Sequence, residues 1–457
     1  MTEGEKMHGR SEHTTMAFIR GEGRTQGTLF PVTLEELIPE DHVGRVIDAF
    51  VERQDMEGRG FVRAEAAETG RPGYDPRDLL KLYLYGYLHQ IRSSRRLEAE
   101  CGRNLEVMWL LERLVPDHKS IAEFRRMNGG AIGEVGAELI QFARGVGLVR
   151  GEWVAIDGSK FRAVSSSQKV HERRQLERYL EGMEKADAEE EVEIDGSAVA
   201  AALEKLRQQG EAEANFMRTT MGKVPAYNVQ IAVDAEQALI VAQRVTGERN
   251  DTRNLRPMAE AAQAAVGKPG EVLHVVADTG YSNGEQAAAC EAQKIVAHVP
   301  AHRSVNNQGD GTLFDRSVFQ YDEASDTLLC PASQRLHRHQ RKQHSIVYAG
   351  QREVCGACPL KSQCTVGPRR LVKRHVHEDA LQRMQQRATP EAMSLRRSTV
   401  EHPFAALKYH IFGLPRFLLR GLKGAQTEIS LAVLAYNLRR MLNVMGGQEI
   451  RMKLAMA

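Results

Sequence analysis

The amino-acid sequence predicts an α/β protein with a helical N-terminal domain and a basic, cysteine-bearing insertion. Three observations carry that prediction. Two short apolar runs, VAIDG at 154–158 and VVADTG at 275–280, read as buried strands that each close on an acid. The first 145 residues are a succession of helix-capping signals followed by apolar residues at helical spacing. Four of the six cysteines lie between 330 and 364, in a stretch rich in Arg, Lys and His.

A chain of 457 residues exceeds one ordinary core, so two or three domains are expected. The net charge of +2 conceals an uneven distribution. Between Pro331 and Lys423 there are 18 Lys/Arg against 5 Asp/Glu, whereas 171–213 is crowded with Glu. A strongly basic third suits a polyanion, most economically nucleic acid. Few cysteines, clustered at metal-like spacing, argue against a disulfide scaffold and for a reducing compartment. The polar start MTEGEKMHGR lacks an apolar signal region, and no run of about 18 apolar residues occurs, so a cytoplasmic, nucleoid-associated protein is expected.

Residues 1–30 are polar and Gly-rich. LEELIPEDHVGRVIDAFVER, from Leu34 to Arg53, has helical apolar spacing broken by Pro39. After the GRPGYD linker, Asp75 caps a helix with Pro76 in its first turn. Ser93 or Ser94 opens a second through Cys101, Asn104 a third through Arg113, and Ser120 a fourth with Glu123 in the capping-box position. Short helices with exposed cations fit a helix-turn-helix-like DNA-binding bundle. They fit equally a bundle that only packs or dimerises. Asp157 then ends a buried strand, and SKFRAVSS continues as a paired strand after a turn at Gly158. The charged segment from His171 to Glu213 reads as two solvated helices around a loop near Asp195–Gly196. PAYNVQIAVD and LIVAQRVT form a strand pair, Asp251 caps the following helix, and Asp278 ends another buried strand before a helix capped by Ser282 or Asn283. KIVAHVP is a further strand. Regularity fades after Ala301, and helices resume near Glu391. The order β-β, hairpin, β-β-α-β-α-β implies a mixed sheet with acids at strand ends, where α/β folds place their sites.

The remaining signal is SLRRSTVEHPFAALK, Ser394 to Lys408. Arg397, Glu401 and Lys408 fall four and then seven residues apart, on one helical face. An ion-paired surface helix has this pattern too. Together with Asp157 and Asp278, however, Glu401 supplies a third carboxylate from a separate element. Hard oxygen ligands suit two Mg²⁺ or Mn²⁺ ions about 3.5–4 Å apart, the arrangement of two-metal phosphoryl transfer.

These residues bring the chain into resemblance with a known family. It resembles the DDE transposases of bacterial insertion sequences, in the branch marked by Tyr-x2-Arg-x3-Glu-x6-Lys. RTQGTLFPVTLEELIPEDH and GRPGYDPRDLLKLYLYGYLHQIRSSRRLEAE look like that group's N-terminal domain. VAIDGSKFRA carries the first acid, VVADTGYSNGE the second, and RRSTVEHPFAALK carries Arg397, Glu401 and Lys408 at the family spacing. One position departs: the family's Tyr falls on Ser394, which bears on DNA-end handling more than on metal binding. The resemblance implies a ribonuclease H-like catalytic fold, interrupted by the helical hairpin at about 169–213 and by the insertion at 301–390, and completed by helices over 391–457. It implies double-stranded DNA as partner, a homodimer or higher oligomer on the element's inverted repeats, and metal-dependent cleavage followed by strand transfer. Asp157, Asp278 and Glu401 would hold the metals; Arg397 and Lys408 would contact phosphates or orient Glu401. Lys160 and Tyr281, beyond the two acids, are candidate DNA or supporting residues. Two alternatives stay open: a metal nuclease without strand transfer, and a silent transposase-derived DNA-binding regulator.

Cys330, Cys355, Cys358 and Cys364 give C-x24-C-x2-C-x5-C, and with their basic surroundings favour a structural Zn²⁺ knuckle over free thiols. His337, His339 or His344 could replace one ligand. Cys101 and Cys290 read as core residues, as do Trp109 and Trp153; His402 reads as packing or a DNA contact.

Overall fold

A computed structural model describes residues 33–65, 73–190, 200–201, 203–204, 211–220, 222–267, 271–301 and 313–456. The polar first 30 residues and the Asp195–Gly196 loop lie outside them.

The N-terminal helices form where the capping chemistry places them. After α1 (Leu34–Leu37) and α2 (Val43–Glu52), Asp75 accepts from the Arg77 N–H at 2.8 Å and Pro76 opens α3 (Pro76–Leu88). α4 (Ser94–Cys101) and α5 (Leu105–Leu110) follow, the latter capped by Asn104 and ending before Arg113. The cap of α6 (His118–Met127) is Asp117 rather than Ser120: its carboxylate takes the Lys119 and Ser120 N–H groups at 2.9 and 3.1 Å. A carboxylate at a helix N-terminus gains from the dipole as well as the hydrogen bonds, so it outcompetes the hydroxyl three residues on. α7 (Gly129–Gly145) completes this part.

β1 (Trp153–Arg162) corrects the expected turn. It runs unbroken through Asp157 and Gly158, paired antiparallel with β3 from Val154↔Asp234 to Arg162↔Ala226. Gly158 serves close approach, since a Cβ there would sit 2.3 Å from the Gln230 Nε2. α8 (Ser167–Glu190) is the first helix of the charged segment. β2 (Asn215–Thr219), a strand the sequence pattern did not reveal, pairs with the start of β3 (Gly222–Asp234), and β4 (Ile240–Thr246) pairs with its remainder. α9 (Leu255–Val266), β5 (Leu273–Val276), α10 (Gly284–Ala292, capped by Asn283) and β6 (Ile295–His298) follow. The sheet order is β2-β3-β1-β5-β6, with β4 also on β3; β1, β5 and β6 are mutually parallel, while β3 is antiparallel to β1 and β4.

A second, antiparallel sheet has the order β11-β10-β9-β8-β7: β7 (Gln320–Asp322), β8 (Thr327–Leu329), β9 (Arg335–Lys342), β10 (Ser345–Ala349) and β11 (Leu371–His375). Between β10 and β11 lie two short helices, α11 (Arg352–Gly356) and α12 (Lys361–Cys364). Helix returns earlier than Glu391, at α13 (Glu378–Gln386), which packs on α10 through Arg383 and Arg387 against Glu291 at 2.6 and 3.0 Å. α14 (Pro390–Ala405), capped by Thr389, lies on β1, β3 and β5.

α15 (Gly421–Met445) joins the two halves, packing on α3, α7 and β4 before α16 (Gly447–Met456) closes the chain. Its amides protect the sheet edge. Asn437 accepts from the Ile240 N–H and donates to the Ile240 carbonyl, both at 2.9 Å, while Gln426 accepts from the Val245 N–H at 2.8 Å. Those groups would otherwise face an apolar helix without partners. The N-terminal helices, the first sheet and α15 consequently share one continuous apolar core. Among the described residues no helix is long and apolar enough to cross a membrane.

Candidate active site

Adjacent parallel strands bring the two aspartates together. β1 extends past the end of β5, which pairs with it only from Trp153 to Ala155, and so exposes a strand edge at Asp157. Asp278 stands just beyond β5, where its carboxylate takes the Gly280 N–H at 2.8 Å and turns the chain through Thr279–Tyr281. Both acids meet one cation that the sequence reading passed over. The Arg396 Nη2 lies 2.9 Å from the Asp157 Oδ1 and 3.8 Å from the Asp278 Oδ2. Burial pushes the Asp157 carboxyl above the usual carboxylate range, Arg396 opposes that rise, and Asp278 adds to it. No three His, Cys, Asp or Glu side chains among the described residues stand at metal-holding spacing. Still, two carboxylates sharing one positive group have the chemistry of a hard-cation site.

The signal for Arg396 was present in the helical pattern. It shares a stripe with Val400, Pro403 and Phe404, which are all buried, at i+4, i+7 and i+8. A charge in a buried stripe calls for a partner. Arg397 and Glu401 sit on the adjoining flank and are exposed, so Glu401 does not join the aspartates in this structure. Beyond α14 the chain makes a π-helical turn over Ala406–Ile411, and Lys408 lies there half-buried. Its ammonium is 5.7 Å from the Phe404 ring centre. Burial lowers its pKa while Asp157 opposes the fall, which sets Lys408 electrostatically on the aspartate side.

The other face of β1 carries a polar network. Asp251, expected as a helix cap, does not cap α9; its N-cap is Asn254. Asp251 accepts from the Asn228 Nδ2 and Gln230 Nε2, each at 2.7 Å, and lies 3.3 Å from the Lys160 Nζ. Lys160 is therefore tied to a carboxylate. Tyr281, expected as a DNA or supporting residue, is fully buried and its hydroxyl donates to the Gln230 Oε1. Alternation explains this. Gly158 and Lys160 pair with Gln230 and Asn228, and all four face away from the side on which Asp157 projects.

Elsewhere, Cys101 and Cys290 are buried. The Trp109 indole N–H donates to the Glu35 carboxylate at 2.7 Å, and Trp153 stacks on His274 at 4.4 Å. His402 is exposed beside Tyr436. The four remaining cysteines line one cavity on the second sheet, though not at ligand spacing. His337 shares that cavity, whereas His339 meets Arg369 and His344 meets Glu285.

Two family models match the chain. Residues 154–438 match the family model described as transposase DDE domain, and residues 32–127 match the transposase domain DUF772. The chain belongs to the DDE transposases of insertion sequences. No curated protein matches it. A solved structure described as a cryo-EM structure of piggyBac transposase synaptic complex with hairpin DNA aligns over 90% of this chain and 76% of its own, at 9% identity and a TM-score of 0.34.

Proposed function

We propose that this transposase binds the terminal inverted repeats of its element and carries out DNA strand cleavage and strand transfer on a ribonuclease H-like core. One observation carries the reading: Asp157 and Asp278, from the neighbouring parallel strands β1 and β5, converge on a single positive charge. The strand order, with an antiparallel β1/β3/β4 half and a parallel β1/β5/β6 half, supports the core assignment.

Asp157 and Asp278 would hold Mg²⁺ or Mn²⁺ in the place Arg396 now serves, and Glu401 would complete the set from α14. A bound divalent cation supplies Lewis-acid stabilisation of a phosphodiester oxygen and lowers the pKa of water. Lys408, half-buried near Asp157, and the exposed Arg397 would contact the phosphates flanking the scissile bond. In the first step water attacks the phosphorus and a 3′-hydroxyl leaves. In the second, that hydroxyl attacks a target phosphodiester and displaces the target's 3′-oxygen. Lys160, held by Asp251, would support β1 from behind. The protein acts as a homodimer or higher oligomer in this reading.

The test is an assay of the purified protein on DNA bearing the element's ends, with Mg²⁺ and with chelator. Metal-dependent nicking and joining, both lost in Glu401→Ala, are expected. One observation favours the silent regulator instead, namely the exposed position of Glu401 away from the aspartates. Tight end binding without cleavage in Mg²⁺ or Mn²⁺ would establish that alternative.

A further inference from the structure

The second sheet has too little apolar interior to account for its order. Its buried cluster is Phe319, Leu328, Leu336, Tyr348 and Val372, with Phe314, Tyr321, Ile346, Cys330 and Cys364 partly buried against it. Five buried side chains with a partly buried fringe are few for a small unit without a staple. The staple candidates are thiols. Cys330 in the β8–β9 turn, Cys355 on α11, Cys358 just after it and Cys364 at the end of α12 all line one cavity of about 330 Å³. None of them is in a disulfide.

The backbone is shaped around these sulfurs. The Gln334 N–H donates to the Cys330 Sγ at 3.4 Å. At Gly350 a Cβ would lie 2.6 Å from the Cys355 Sγ, so a side chain at that position would displace the sulfur. Cys355 lies in the last turn of α11 and Cys358 two residues beyond its end, so one short segment carries both thiols. Arg335, Lys361 and Arg370 also line the cavity. Four thiolates around a divalent ion carry a net charge of −2, which Lys361 and Arg370 answer, Arg335 being paired with Asp322 at 2.9 Å.

We propose that the cavity is a zinc site, with Cys330, Cys355, Cys358 and Cys364 as its four ligands and one ion per chain. The sulfurs line the cavity without standing at ligand spacing, so the ion must draw them inward to about 2.3 Å. Four soft donors select zinc over the hard cations that suit the aspartates. The ion ties the β8–β9 turn to the α11–α12 segment and so holds the sheet together. This role is independent of DNA chemistry.

The full-length protein, purified without chelator, is expected to carry about one zinc per chain by elemental analysis, and Asp157→Asn is expected to carry the same. Cys355→Ser combined with Cys358→Ser should lower that content at least tenfold. The wild-type chain reloaded with Co²⁺ provides a second readout that does not depend on the folding of this variant. A tetrahedral, four-thiolate Co²⁺ spectrum is expected, together with protection of β9–β10 from protease that chelation removes. Zinc content unchanged in the double variant, no metal retained by the wild type, or an octahedral or three-thiolate, one-imidazole Co²⁺ spectrum would overturn the four-cysteine assignment. Absence of DNA cleavage in the same preparation would bear only on the proposed function.

Discussion

Removing the Glu428 carboxylate should loosen the joint between the N-terminal helices and the rest of the molecule. Glu428 on α15 is fully buried. One of its oxygens meets the Arg92 Nη1 at 2.9 Å, and the other takes the Leu418 and Leu419 N–H groups at 2.7 and 2.6 Å. Arg92 comes from the α3–α4 connection and also donates to the Phe412 and Arg416 carbonyls. Its guanidinium lies 4.3 Å from the Phe412 ring centre. In Glu428→Ala, a buried guanidinium and two backbone N–H groups lose their acceptor at once. Breaking one side of a buried pair costs about 3–5 kcal/mol. Each stranded N–H is worth about 1–3 kcal/mol by itself, but the three losses share one cavity and do not add. A total of about 3–5 kcal/mol is therefore expected from urea unfolding. Glu428→Gln retains an acceptor for the N–H groups and should lose less. Adding Arg92→Met to Glu428→Gln should recover part of that loss, because only one of the two buried guanidiniums facing Glu428, Arg125, then remains. A loss below about 1 kcal/mol in Glu428→Ala would refute the reasoning, since a truly buried, unpaired guanidinium cannot cost so little.

Four further outcomes follow from the structure. Asp157→Asn should abolish strand cleavage and joining while leaving end binding largely intact; the reverse pattern in gel-shift and cleavage assays would contradict the assignment. Arg396→Gln should move the acid limb of the cleavage pH profile upward. Burial already raises Asp157 and Arg396 is the group opposing it, so losing the cation raises it further. For stability the sign is the same: with the folded pKa above the unfolded value, ionised Asp157 opposes folding, and stability falls as pH rises through that window. Tyr281→Phe removes only the hydroxyl that bonds Gln230, and should cost about 1 kcal/mol and lower kcat without weakening DNA binding. Asn437→Leu strands the Ile240 N–H and carbonyl on the edge of β4 and should lower stability by about 2 kcal/mol in urea, whereas an unchanged midpoint would show that water replaces the amide.

Local chemistry was legible wherever one segment decided the outcome. Asp75 with Pro76, Asn104 and Asn283 cap the helices their neighbours imply, and β5 and β6 form from their apolar runs. Gly158 misled because a glycine after an acid signals a turn, while its actual use is to admit the Gln230 amide from the neighbouring strand. Asp251 misled in the same way. A carboxylate four residues before a helix looks like a cap, but three donors from β1 and β3 claim it first.

From the sequence by itself came the α/β class, the family, the two strand-borne aspartates and the clustering of four cysteines, because each is written in contiguous residues. Only the tertiary structure decided that Arg396 rather than Arg397 meets the aspartates, that Tyr281 is buried, and that four thiols share one cavity. Those outcomes depend on which face of a strand or helix meets which neighbour. A shift of one residue along α14 turns a side chain by about 100°, from the core to solvent, and only packing resolves that choice.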